Sequence, residues 1–257
     1  MIMGTSFSNP LTALSTGDLF AIGYILIVLF FVGLVLERFE NRRIRGQKPG
    51  ARKQSYALAM AQLWGTTILV LSVWFIAERG PVPWGFNAPV SWQALTVLGL
   101  IALTILYFGS QLGQILFSPS ARTVWQKAMA DMRDRVPLLP KTRSDAALFA
   151  LLGITAGITE EIIFRFYLIG TLQLAMPLWA AALASLTIFV LLHSYQGTQG
   201  MAQVAIIGTV ITVLYVLGAP LWLLIVLHIL VDLFAALLFF LTAQGKAPPA
   251  GEAIGSA

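Results

Sequence analysis

Seven mainly apolar stretches, each near the length that crosses a bilayer, are set off by polar segments, except that the fourth and fifth join directly after Pro177. About 20 apolar residues span a hydrocarbon core of roughly 30 Å. The pattern predicts spans over residues 19–36, 56–77, 92–117, 146–177, 178–193, 201–217 and 221–241. The fourth, bounded in practice by Ala146 and Met176, would measure about 46 Å as a straight helix. It must therefore tilt, kink or begin outside the hydrocarbon. Between the third and fourth spans, Trp125, Met129, Met132 and Val136 recur at helical spacing among Lys, Asp and Arg. That pattern predicts an amphipathic helix lying on the membrane face or on the bundle, stopped by Pro137.

The sequence is thus all-α, a polytopic transmembrane bundle of about seven spans. Three regions are expected. Residues 1–145 form N-terminal membrane helices with basic loops, 146–243 form a helical core, and 244–257, rich in Pro, Gly and Ala, form a disordered tail.

Composition agrees: 58% of residues are hydrophobic and 11% charged, with a mean hydropathy of +0.84. A water-soluble domain carries about twice that charge. The net charge of +5 does not indicate nucleic acid, because the basic residues are segregated. Arg38, Arg42, Arg43, Arg45, Lys48, Arg52 and Lys53 fall in the first loop. Arg122, Lys127, Arg133, Arg135, Lys141 and Arg143 fall between spans three and four, and Lys246 lies in the tail. The positive-inside rule puts all of these in the cytoplasm, with the N-terminus outside. The expected location is a cell membrane, multi-pass, in a bacterial cell. Cysteine is absent, which removes thiolate metal sites, disulfides and a cysteine nucleophile.

Against this apolar background a few ionisable residues fall inside spans. Span four holds Glu160, Glu161 and Arg165, span five ends in His193, and span seven holds His228 and Asp232. Both histidines of the chain are in this set. Four charged groups facing lipid would cost on the order of 10–14 kcal/mol, so they must pair or line a hydrated cavity. Glu161 and Arg165 share a face at i, i+4, as do His228 and Asp232, whereas Glu160 is turned about 100° from Glu161. Each pair alone reads as a structural bridge or an interhelical clamp, and His193 alone as a helix cap. Gly153 and Gly157 read as close helix packing. Together, with Glu160 left over, the set reads as a functional centre. Glu and His can deprotonate a water, and a second His beside an Asp can donate to an oxyanion or help bind a metal. A hydrolase acting through water is the simplest assignment.

Glu160-Glu161-Ile-Ile-Phe-Arg165, Phe189-Val-Leu-Leu-His193 and His228-Ile-Leu-Val-Asp232 stand in order on successive spans. Here the chain resembles the CPBP intramembrane proteases, the CAAX-protease, bacteriocin-processing and abortive-infection family. The resemblance covers roughly residues 146–240. It implies endopeptidase activity within the membrane, with Glu160 and His193 activating water and His228 with Asp232 forming the oxyanion site. Glu161 and Arg165 would support that site structurally. It implies a peptide or membrane-protein substrate, with the lipid bilayer as a partner; no nucleic acid and no cofactor are expected, and no metal, because the spacing lacks the His-x-x-x-His pair that seeds zinc sites on one helix. Phe166 stands where Gly is frequent, which bears on local packing. Asp232 is the rarer choice over Asn, and it must be protonated to donate or else act by orienting His228. The other function classes compatible with these residues are a non-catalytic immunity or regulatory protein and a proton-coupled transporter.

Overall fold

The computed structural model describes residues 13–27, 38–39, 42–46, 48–86 and 90–242. Every regular element in these residues is helical. We number the helices of regular α form α1 Thr16–Tyr24, α2 Ala51–Ile76, α3 Trp92–Phe117, α4 Pro119–Arg135, α5 Arg143–Glu160, α6 Leu178–Leu192, α7 Gly197–Val216 and α8 Leu221–Thr242. Between α5 and a three-residue helical turn, Glu161–Ile169 winds as a π-helix.

Among the described residues, five helical stretches are long and apolar enough to cross a membrane: Ala51–Ile76, Trp92–Phe117, Arg143–Leu172, Ser194–Val216 and Leu221–Thr242. The shorter apolar helices Thr16–Ile27 and Leu178–Leu192 occupy the first and fifth predicted spans. Residues 28–36 of the first span, and the tail 244–257, lie outside the described residues. The molecule is a multi-pass membrane protein, and much of α3 presents large apolar side chains outward, among them Leu95, Leu103, Leu106 and Phe117. In water these would be a liability; against lipid they are the expected surface.

Local chemistry sets the helix ends. Ser91 and Ser118 accept from the backbone N–H groups of Ala94 and Ala121, capping α3 and α4. Thr142 and Asp145 form a reciprocal capping box at the start of α5. The predicted amphipathic helix is α4. It buries Met129 and ends at Val136, before Pro137.

The π segment shortens the overlong fourth span only slightly, so most of its excess length lies outside the hydrocarbon or in tilt. A turn closed by i→i+5 bonds is wider than an α turn, so it rises less per residue. All nine of its residues are buried. Ile162, Ile163, Phe164, Phe166, Tyr167 and Leu168 form the centre of the main apolar cluster, joined by Ala21, Ile25, Val70, Phe189 and Leu221. Phe166 is accommodated without a glycine, because its ring packs 4.5 Å from that of Trp74.

The tightest helix pair is α5 with α8. A Cβ added at Gly157 would stand 2.6 Å from Ile229 Cγ1 and 3.0 Å from Ile229 N; one at Gly153 would stand 2.9 Å from Asp232 Cβ. Real side chains do not tolerate such distances, so these two glycines let the backbones approach. The close packing read from the sequence is what delivers the His228–Asp232 face of α8 to the end of α5.

Candidate functional site

Four elements converge on one cavity of about 1010 Å³. Glu160 comes from the last turn of α5, Arg165 from the π segment, His193 from the end of α6, and His228 and Asp232 from α8. Phe189 forms part of the wall. The other wall is apolar, including Leu63, Phe149, Leu152 and Phe239, and the rim carries Arg135, Gln196 and Gln199. With only 15 residues, α6 measures about 22 Å and falls short of a hydrocarbon core. His193 and the turn after it therefore belong at membrane depth. That turn, Ser194–Gln196, is a short 3-10 helix that lines the cavity and leads directly into α7.

Glu161 anchors the centre, as a buried side chain with 0% exposure. Its Oε1 accepts from Arg165 Nη1 at 3.0 Å and from His228 Nδ1 at 2.7 Å. Arg165 also donates to Gly208 O at 3.3 Å and lies 4.5 Å over the Phe189 ring. The predicted Glu161–Arg165 pair is present, and it does more than neutralise itself: it holds His228. Asp232 Oδ2 stands 3.9 Å from His228 Nε2, beyond hydrogen-bonding distance. The orienting partner of His228 is thus Glu161, not Asp232.

The two histidines have their tautomers set alike. His193 Nδ1 lies 2.8 Å from Phe189 O, and since a carbonyl can only accept, Nδ1 is the donor. The neutral ring then carries its lone pair at Nε2, free to take a proton. In His228, Nδ1–H donates to the Glu161 carboxylate, and Nε2 turns to Glu160 Oε2 at 3.8 Å and Asp232 Oδ2 at 3.9 Å. Neither gap is a direct hydrogen bond, and a small oxygen-bearing group can interact with all three. Side-chain exposure grades from 0% at Glu161 through 10% and 12% at His228 and Glu160 to 34% at Asp232. The inner carboxylate is structural in position, and the outer ones face the cavity.

All six residues singled out in the sequence lie in this neighbourhood, and five of them line the cavity itself. The contacts that support them are not readable from the sequence, although Gly208 falls within residues 206–233, part of the stretch that resembles the family. Besides the π segment, they include Ser185, whose hydroxyl donates to Phe164 O, and Gly208, whose carbonyl receives Arg165. Their sequence signals are a lone serine and a lone glycine within apolar spans. Among the described residues no set of three or more His, Asp and Glu side chains is arranged to hold a metal ion. Glu161 and His228 already spend their nearest donor and acceptor atoms on each other.

Residues 142–234 match the model of a family described as type II CAAX prenyl endopeptidase Rce1-like. The match begins at the N-cap of α5 and ends two residues past Asp232, so it contains the whole constellation. No curated protein and no solved structure matches the chain.

Proposed function

We propose that this chain, whose segment 142–234 belongs to the Rce1-like CAAX endopeptidase family, is an intramembrane endopeptidase working through a water activated by Glu160 and His193. The observation that carries this reading is the convergence of Glu160, His193, His228 and Asp232 from three helices on one cavity.

In the proposed reaction, a water between Glu160 and His193 gives its proton to Glu160. His193 Nε2 accepts the second O–H and aims the lone pair at the scissile carbonyl. The water oxygen bonds to the carbonyl carbon, and the resulting oxyanion is held by His228, donating through Nε2–H in its doubly protonated form. Asp232 shares that role in its protonated form, the only form in which a carboxyl donates. The C–N bond breaks as Glu160 returns the proton to the leaving amine. Glu161 and Arg165 act by holding the His228 ring. The substrate is a peptide or a segment of a membrane protein, admitted from the basic side, which is cytoplasmic in this reading.

The test is cleavage of membrane-embedded reporter peptides by the purified chain in liposomes, beside Glu160→Gln. Cleavage by the native chain and none by the variant supports the reading. Proton-driven uptake of a solute into the vesicles with no cleavage product would replace it with a transporter.

A further inference from the structure

On the basic side, where the end of α4 also borders the large cavity, a second pocket of about 180 Å³ opens among the helix ends. Four cations line it against the single carboxylate of Asp134: Arg45, Arg52, Arg133 and Lys141. They come from four different places: the first loop, the start of α2, the end of α4 and the residues just before α5. Like charges gathered from separate segments repel, and such a cluster persists where an anion offsets it.

Two of the cations are fixed in place. Arg52 donates to Pro137 O through Nε at 3.3 Å and Nη2 at 3.1 Å, and reaches Asp145 Oδ2 at 3.3 Å. Arg133 donates to Pro140 O at 2.8 Å and to Thr242 Oγ1 at 3.1 Å. Most of these partners are neutral, so they orient the guanidinium groups without cancelling them; Asp145 is the one exception. Arg45 and Lys141 are exposed, and among the described residues neither side chain makes a hydrogen bond or ion pair. The arrangement is two rigid cations with two long, free ones able to close over a guest.

Its position identifies the guest. Arg52 stands one residue into α2, Lys141 two residues before α5, and Arg133 reaches the last residue of α8. These are the basic ends of three membrane helices, the level at which lipid headgroups lie. We infer that this pocket binds the phosphate of an anionic phospholipid headgroup. Basic pockets between helix ends suit that chemistry, with each Lys or Arg near the surface adding about 1 kcal/mol. Arginine forks match phosphate oxygens in pairs, and lysine adds a point charge. The inference is independent of the proteolytic reading.

The test is native mass spectrometry of the full chain in non-ionic detergent, titrated with phosphatidylglycerol or with phosphatidylcholine of the same chain length. One phosphatidylglycerol should bind ahead of all others, and phosphatidylcholine should not replace it. Arg45→Gln with Lys141→Gln, which removes the two cations that make no structural bond, should weaken that first binding at least about tenfold. Lys53→Gln with Lys127→Gln removes the same charge elsewhere and should change it by no more than about twofold. Unchanged thermal unfolding of both double variants shows that they are folded. Equal weakening by both would overturn the pocket in favour of diffuse attraction. Displacement of the lipid by inorganic phosphate at equal concentration would overturn the lipid as its source.

Discussion

Glu161 accepts two hydrogen bonds through one oxygen and holds both a guanidinium and an imidazole. Removing one partner of a buried pair typically costs about 3–5 kcal/mol, because the other charge is left uncompensated. Arg165→Met should therefore destabilise the protein by that amount, read as earlier unfolding in detergent. It should also lower cleavage by releasing His228. Asp232 invites a different test. If it donates as a protonated carboxyl, native activity must fall as pH rises through its titration. Asp232→Asn, which donates at any pH, should retain activity and lose that alkaline limb, whereas Asp232→Leu should lose activity throughout. A native profile identical to that of the Asn variant would show that no proton on Asp232 is needed. Chelators offer a third check: exhaustive dialysis against a strong chelator should leave activity intact. Loss restored only by zinc would assign a metal role to the same side chains.

At the scale of the element, α5 and α8 are held close by the absence of two side chains. Gly157→Ala should force Ile229 aside, costing about 1–3 kcal/mol and moving His228 from Glu160. Gly99→Ala and Gly109→Ala on α3, where nothing lies within 4 Å, should be neutral or slightly stabilising. Unfolding midpoints and cleavage rates of the three variants would show the contrast. Span positions were legible because hydrophobic length is a coarse and strong signal. Residues 92–117 and the start of the last span at Leu221 fall where the apolar runs place them. The candidate site residues were legible because ionisable groups are costly inside a span, so they stand out. The π segment was not, because Ile162-Ile163-Phe164 would suit an α-helix equally well; tertiary packing decides between the two. The Glu161–His228 bond was hidden for a similar reason. Spacing along one helix predicts its own i, i+4 partners and says nothing of atoms on another.

For the whole molecule, the consequence concerns sidedness. The large cavity has its rim at Arg135, Gln196 and Gln199, on the same side as the basic loops and the small cationic pocket. If the positive-inside rule holds, substrate and lipid headgroup both approach from the cytoplasm. A reporter fused after Ala243 should then report cytoplasm and a tag before Thr16 the exterior. Both ends on one side would contradict the seven-span arrangement.

The central claim is that Glu160 and His193 act on one water as a unit. Its most direct measurement is kcat/KM for a membrane-embedded peptide with Glu160→Gln, His193→Ala and the double variant, each shown to be folded. Groups that share one proton transfer lose their effect together, so each single change should cost about 10²–10⁴-fold. The double change should then cost little more than either alone. Full activity in His193→Ala, or losses that multiply in the double variant, would contradict the account.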